Sequence, residues 1–292
     1  MDSTTNIRPS EPMDKKKSLQ ASIDEANIAA NLDDDELNEI GAECKAGFEA
    51  DLQSRSHWEE DLEEWTKLAM QVRETKSTPW SNASNVKYPL LSTAAMQFNA
   101  RAYPSLVPAD GKIVKGKTIG KDPTGEKGTK ADRVATYMSY QFMHEMDGWD
   151  EDMDRLLIML PIVGTVFKKT YWSGSVKSIA SELVLPKNLI VNNWASNLEQ
   201  AERVSEVIEM SQRVFEERKR QGLFLDVDLG TPTNETPNNT SRDSPARIDE
   251  TTPYFLIEQH GYLDLDDDGY KEPYIITFHK TTGKVVRITA RF

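Results

Sequence analysis

A phosphate-binding pattern is the first candidate for chemistry in this 292-residue sequence. Residues 111–118 read Gly-Lys-Ile-Val-Lys-Gly-Lys-Thr, which satisfies the G-x4-G-K-[ST] pattern of nucleotide-hydrolase loops. Such a loop needs a buried strand before it and a helix after it, because the helix N-terminus binds the phosphates. Here two prolines interrupt the preceding segment, and Pro123 interrupts the following one. We therefore predict no nucleotide site, and a hydrolase that uses Lys117 and Thr118 stays as the competing enzyme hypothesis.

Four aspartates and a glycine, in the order D-L-D-D-D-G, match the start of a calcium-binding loop. Ile275 occupies the twelfth position, where an EF-hand has a bidentate glutamate, and both flanks have strand patterns, so an EF-hand is excluded. Two alternatives remain. One is a smaller calcium site formed by Asp264, Asp266, Asp268 and Glu272; the other is a solvated acidic turn between two strands.

The other reactive side chains form no catalytic pattern. Cys44 is the single cysteine and has no histidine close to it in sequence, and one cysteine excludes a disulfide framework or a thiolate zinc cluster. The four histidines (His57, His144, His260 and His279) are isolated and form no metal-spaced pair. We therefore predict that the protein is not an enzyme and requires no cofactor, with Ca²⁺ as the one ion to consider.

The negative charge is concentrated in one segment. Residues 24–74 carry sixteen acidic and four basic side chains, which accounts for nearly all of the net charge of −13. This balance excludes a uniformly basic nucleic-acid binder, because binding phosphates requires local positive charge.

Within this segment a helical stripe is predicted, with acidic residues on the other faces. One interpretation is a surface helix that packs two tryptophans into a core; the other is a surface that repels an anionic molecule. The stripe has spacings of 4, 3, 4 and 3, and consists of Trp58, Leu62, Trp65, Ala69 and Val72.

Prolines and glycines predict where the elements end. A helix over 88–101 should be ended by Pro104 and Pro108, and a helix over 150–160 should end or kink at Pro161. Ser211 should cap a short helix that Gly222 stops. The glycine- and lysine-rich residues 111–129 predict an exposed β-hairpin or loop.

The layout predicts an α+β fold, because helical and strand patterns mix without a repeat or regular βαβ alternation. No apolar run reaches membrane-spanning length and no signal peptide is visible, so we expect a soluble protein made inside the cell. The expected segments are a flexible N-terminal arm (1–22), a helix-rich domain with short strands (23–229), a mobile polar loop (230–253) and a β-hairpin region (254–292).

Four stretches, in this order, carry a family resemblance. They are 56–65 (SHWEEDLEEW), 79–90 (PWSNASNVKYPL) running into 97–104 (QFNARAYP), 160–171 (LPIVGTVFKKTY) and 261–274 (GYLDLDDDGYKEPY). Together they resemble the portal protein of tailed double-stranded DNA bacteriophages, particularly the short-tailed, podovirus type.

This resemblance implies a ring homo-oligomer, typically a dodecamer, at one vertex of the capsid. The ring would form the channel for genome packaging and ejection and the head-to-tail connection, in virions assembled after synthesis in the host cytoplasm. Implied partners are the terminase large subunit, a head-to-tail adaptor, the major capsid protein and double-stranded DNA that passes without sequence-specific binding; no membrane is implied. ATP hydrolysis would be carried out by the terminase, so the resemblance implies no catalytic residues in this chain.

The same resemblance implies where this chain falls within a portal subunit. Its helices and antiparallel β-hairpins would belong to the wing. In the family the chain normally continues beyond the point that corresponds to Phe292. We therefore expect the stem, clip and crown to lie outside this chain. Candidate subunit contacts are Trp80, Asn82, Lys87 and Arg101. The alternative function is a calcium-stabilised β-hairpin binding module without catalytic activity.

Overall fold

The computed structural model describes residues 25–72, 78–81, 83–84, 86–174, 177–232, 251–266 and 268–291. Within these ranges the chain forms six α-helices and two antiparallel sheets, which confirms the α+β class. The helices are α1 (Asp34–Ser54), α2 (Ser56–Ala69), α3 (Leu90–Leu106), α4 (Glu126–Tyr140), α5 (Trp149–Val163) and α6 (Gln212–Arg220). A 3-10 turn (Ile28–Asn31) precedes α1, and a π-helical turn (Gln141–Glu145) follows α4.

The strands form one hairpin and one larger sheet. They are β1 (Phe167–Ser173), β2 (Ser178–Val184), β3 (Leu189–Val191), β4 (Val204–Met210), β5 (Tyr254–Leu263), β6 (Glu272–His279) and β7 (Val285–Ala290). β1 pairs with β2, and the other five follow chain order from β3 to β7 with every neighbour antiparallel. The strand patterns on both sides of the aspartate run are confirmed as β5 and β6.

The chain divides into two compact units. We call residues 1–56 and 188–292 the sheet unit, and residues 57–187 the helical unit. This division differs from the sequence-based segments 23–229 and 254–292. The reason is that β5 pairs with β4 across the 230–253 segment, which brings sequence-distant strands into one core. Of the segments expected to be flexible, the arm (1–22) and residues 233–250 of the loop lie outside the described residues.

The sheet unit covers both faces of its five-stranded sheet. α1 begins at a capping box, in which Asp33 and Glu36 each accept a hydrogen bond from the other's backbone N–H. Adjacent residues of β5 point to opposite faces, so Ile257 joins the core under α1 while Leu256 joins the core under α6. Phe215 of α6 fills the second core, next to Phe224.

The helical unit has a much smaller core. Val107, Met146 and Trp149 form its one cluster of buried apolar residues among those described. α3 packs beside α5, where Asn99 donates a 2.7 Å hydrogen bond to Asp154 and Tyr103 donates one to Asp150.

The ends of α6 lie where the sequence predicts them, whereas α3 and α5 extend beyond the prolines inside them. Ser211 caps α6 and Gly222 follows it with a φ of +72°, as predicted. α3 and α5 each continue two residues beyond Pro104 and Pro161, so neither helix ends at its internal proline. α3 does end before Pro108, as predicted. A proline this close to the C-terminus removes only one N–H bond, and α5 then stops at Gly164, whose φ of +76° suits glycine. Residues 111–125 form no helix or strand, which agrees with the predicted loop and not with the hairpin, whereas residues 126–129 of the predicted loop begin α4.

A helix that crosses a bilayer needs about 20 mostly apolar residues. Among the helices of the described ranges, none is both long enough and apolar enough to cross a bilayer.

Candidate functional sites: an exposed apolar surface and a carboxylate loop

Large apolar side chains are exposed mainly in the helical unit. Of those exposed in the described residues, eighteen lie in the helical unit and three in the sheet unit. The three are Trp194, Leu198 and Tyr270. Exposed apolar residues that are scattered singly are ordinary, whereas large contiguous apolar patches are typical of interaction sites.

The densest part of this surface is the segment that leads into α3 and α3 itself. Val86 and Tyr88 are more than four-fifths exposed, and Leu90 is 69% exposed at the start of the helix. Within α3, Met96 and Phe98 are also exposed. Ala95 is the only buried residue that faces α3's packing partners among the described residues of the helix, so one neighbouring helix covers only part of a helix that is apolar on several sides.

The predicted subunit-contact residues border this segment. Trp80 is 67% exposed, Arg101 is exposed on α3, and Lys87 is half-buried between two exposed apolar residues. Asn82 lies outside the described residues. The sequence signal for this surface was the mixture of aromatic and apolar residues around the Pro-Trp turn, but the sequence does not show which of them a neighbouring helix covers.

The tryptophan stripe of α2 is only partly buried. Leu62 is buried, Trp58 and Trp65 are half-buried, and Val72 is 37% exposed. Acidic residues on the other faces, Glu60 and Glu64 among them, are exposed. The predicted helix is confirmed as far as Ala69, and Val72 lies beyond its end. Its acidic face is solvated, and the two tryptophans lie near the surface rather than in a deep core.

The phosphate-loop pattern does not have phosphate-loop geometry. α4 begins at Glu126, eight residues after Thr118, so this helix does not start directly from the motif as a phosphate loop requires. Gly116 instead packs against the backbone of α4, since a Cβ there would lie 2.5 Å from the carbonyl oxygen of Ala131. Close packing explains this glycine, and Lys117 is exposed beside it.

The aspartate run forms a carboxylate loop between β5 and β6. Asp264 accepts hydrogen bonds from the backbone N–H groups of Asp268 (3.2 Å) and Gly269 (2.9 Å), which holds the turn closed. One carboxylate oxygen from each of Asp264, Asp266 and Asp268 lies within 4.8 Å of the others. The structure thus brings together three of the four predicted metal ligands.

Glu272, the fourth predicted ligand, is influenced by the same charges. Burial, and then the negative charges of Asp266, Asp268 and Asp264, raise the pKa of its carboxyl above the usual value. A hard divalent cation bound between neighbouring carboxylates would reduce the repulsion among their charges.

A buried ionic network in the sheet unit was missed at the sequence level. Asp51 of α1 is fully buried and accepts two hydrogen bonds from the Arg203 guanidinium, at 3.0 and 3.1 Å. Asn192 donates a third to the same carboxylate at 2.8 Å. This network fixes α1 to the segments that flank β3 and β4. Its signal was hidden because Asp51 lies within the acidic segment, where carboxylates are normally solvated.

Cys44 lies beside this network in a setting that disfavours its reactive form. Burial, followed by the charge of Glu43, raises the pKa of the thiol to about 12. A thiol with so high a pKa is a poor nucleophile at neutral pH. Gln259 donates to the backbone oxygen of Cys44 and to Ser205, so the surrounding polar groups serve packing.

The comparisons with known proteins add no relative: no protein-family model matches the sequence, and no curated protein matches it.

Proposed function

We propose that this chain is a structural subunit of a phage portal ring, which forms the channel for genome packaging and ejection and the head-to-tail connection. In this role the chain is not an enzyme, and its shape and contacts perform its function. It contacts copies of itself, the terminase large subunit, a head-to-tail adaptor and the major capsid protein at one capsid vertex. Double-stranded DNA passes through the channel without sequence-specific binding.

The observation that carries this proposal is the exposed apolar surface of the helical unit. Apolar area in water costs free energy, about 25 cal/mol per Å², and a second chain that covers it removes that cost. In a ring each copy meets two neighbours through two different surfaces, so much of one unit can be covered. A subunit of this kind should expose apolar area when it is viewed alone.

The positions of the family-like stretches support the same proposal. Three of the four stretches, within residues 56–171, fall almost entirely in the helical unit. They coincide with α2, with the segment leading into α3, and with the turn from α5 into β1. The helical unit would correspond to the part of the portal wing that contacts neighbouring subunits.

Electron microscopy and native mass spectrometry of the purified chain test this proposal. We expect closed rings with a central channel and a mass that is an integer multiple of 33.0 kDa. A single 33.0 kDa species at every concentration would contradict the proposal.

A second candidate function rests on the carboxylate loop. We infer a calcium-stabilised binding module from the three aspartate oxygens within 4.8 Å of one another. A ligand that binds only the folded state raises its melting temperature, by RT ln(1 + [L]/Kd) in free energy. Thermal melts in calcium and in chelator test it, with Asp266→Asn as the variant that should lose the response. Equal melting temperatures in both buffers would exclude the site.

A further inference from the structure

A groove lined by lysines lies between residues 114–117 and α4. It has a volume of about 430 Å³. Its floor is apolar and its rim is basic. Val114, Gly116, Ala131, Val134, Ala135 and Met138 are the lining residues that we call the floor, and Lys115, Lys117, Lys127 and Lys130 are those that we call the rim. No acidic side chain is among the described residues that line it.

The local sequence builds this groove. Because Gly116 has no side chain, residues 114–117 can contact the backbone of α4. The backbone N–H of Val114 donates a 3.0 Å hydrogen bond to Ser139 Oγ of the same helix. The α4 residues of the groove recur at helical spacing, so they form one stripe. Val134 is 51% exposed and Met138 is 39% exposed, and thus the floor is open to a ligand.

The charge of the groove and its floor describe the occupant. Residues 112–133 carry seven basic and three acidic side chains, a net charge of +4. An apolar floor between basic rims suits an amphipathic segment with acidic residues beside apolar ones. Double-stranded DNA fits this groove less well. Its outer surface consists of phosphates, and these would place charge against the apolar floor.

Helix α2 has this chemistry on its outward face. Glu60, Asp61, Glu64 and Leu68 follow at spacings of one, three and four residues, which places them on one side of the helix. All four are exposed, while Leu62 on the opposite side is buried. Residues 56–69 carry a net charge of −4, equal and opposite to that of the groove segment.

We propose that the lysine groove receives the outward acidic face of α2 from a neighbouring copy of this chain. The exposed Leu68 would lie on the apolar floor, and Glu60 and Glu64 would meet the lysine rim. This contact joins two different surfaces, so repetition gives a ring or a filament rather than a closed dimer. The inference rests on the proposed ring and names the surfaces that join its subunits.

Charge reversal on either side of the contact tests it in the full chain. One variant combines Lys127→Glu with Lys130→Glu, and the other combines Glu60→Lys with Glu64→Lys. Lysine and glutamate have similar helix propensities, so both variants should fold. Each variant alone should self-associate about ten- to a hundredfold more weakly than the unchanged chain, because like charges then meet. Sedimentation velocity and native mass spectrometry measure this change.

The decisive sample is an equimolar mixture of the two variants. In the mixture, every contact between unlike variants again joins opposite charges, so assembly should return to the level of the unchanged chain. A variant that fails because it misfolds would not be rescued in this way. Arg213→Glu combined with Arg220→Glu changes the net charge equally on exposed residues of α6, and should leave assembly unaltered.

Each other result overturns the contact. If the unchanged chain forms rings and both variants form them equally well, the groove is not the contact and the ring proposal stands. If the unchanged chain is monomeric throughout, both proposals fail. If assembly is unaltered but the groove variant alone loses binding to a fluorescent DNA duplex, then nucleic acid occupies the groove.

Discussion

The two units of this protein treat their apolar residues in opposite ways. Of the thirty buried apolar residues among those described, twenty-one lie in the sheet unit, whereas eighteen of the twenty-one exposed large ones lie in the helical unit. The sheet unit buries both faces of its sheet with its own helices. The helical unit has helices that are apolar on more sides than its own elements cover. The sheet unit therefore holds most of its apolar side chains in its own core, whereas the helical unit leaves many of its large apolar side chains exposed.

The sharpest test of this comparison uses one residue type in both units. Phe278 is fully buried in β6, and Phe98 is 42% exposed on α3. Phe278→Ala should lower the free energy of unfolding by about 3–5 kcal/mol, because it removes buried area and leaves a cavity. Phe98→Ala should cost less than about 1 kcal/mol in the separate chain, since little area is lost from the interior.

Urea unfolding can be followed separately in the two units, because a different spectroscopic or exchange signal reports on each. Five of the six tryptophans lie in the helical unit, so tryptophan fluorescence follows that unit. Hydrogen exchange of the β5 and β6 amides follows the sheet unit. Equal losses for the two phenylalanine variants would break the comparison.

The buried ionic network gives the next largest effect. Asp51→Asn leaves the Arg203 guanidinium without its charged partner, which should cost about 3 kcal/mol. The matched control is Glu63→Gln, which breaks an exposed 2.9 Å ion pair with Lys67 on α2 and should leave the denaturant midpoint almost unchanged, because solvent screens this pair. Denaturant midpoints measure both. A cost for Asp51→Asn as small as that of the control would mean that the network does not anchor α1.

Two helical glycines sharpen the comparison further. A Cβ on Gly41 of α1 would lie 2.1 Å from the carbonyl oxygen of Gly283, so Gly41→Ala should cost about 1–3 kcal/mol by overpacking. Gly128 of α4 has ordinary space around it, the nearest atom to an added Cβ being Asp122 Oδ2 at 3.6 Å. Gly128→Ala should therefore stabilise the helical unit by about 0.5–1 kcal/mol. Thermal melts compare them, and the same sign for both changes would contradict the packing described.

The smallest expected effect concerns Glu272 and pH. Folding raises the pKa of its carboxyl through burial and the neighbouring aspartates, so the folded state favours the protonated form. The stability from that form is complete below the ordinary glutamate pKa and is lost as the pH rises through the raised value. In chelator at pH 7, Glu272→Gln should raise the melting temperature by on the order of 1 °C, with no gain near pH 4. Calcium should reduce this difference if the loop binds it, and a lower melting temperature for the variant in chelator would contradict the charge repulsion.

Local sequence signals predicted the local features of this fold. Ser211 and Gly222 bracket α6, and the strand patterns on either side of the aspartate run are β5 and β6, because caps and alternation act over a few residues. α3 and α5 run two residues past Pro104 and Pro161, since the loss of one hydrogen bond near a helix end is small beside the packing of the whole helix. Pro108, the second proline of the prediction, does follow the end of α3.

Features that depend on distant residues were beyond local sequence signals. Asn27 accepts a hydrogen bond from the backbone of Ile288, and the Asp51 network joins residues far apart along the chain. Nothing near Asp51 in the sequence separates it from solvated carboxylates. For the same reason only one of the two candidate sites could be predicted. The aspartates of the carboxylate loop are adjacent in the sequence, whereas the exposure of α3 depends on which distant elements cover it.

Hydroxyl-radical footprinting of the chain at low and high concentration tests the central claim most directly. The helical unit should be covered by other copies, so labelling of Tyr88, Phe98 and Tyr137 should fall several-fold as the concentration rises. Labelling of Trp194 and Tyr270 in the sheet unit provides the comparison within the same sample. Protection confined to the helical unit is the result that we predict. Unchanged labelling of all five side chains at every concentration would contradict the claim that the exposed apolar surface of the helical unit is a subunit interface.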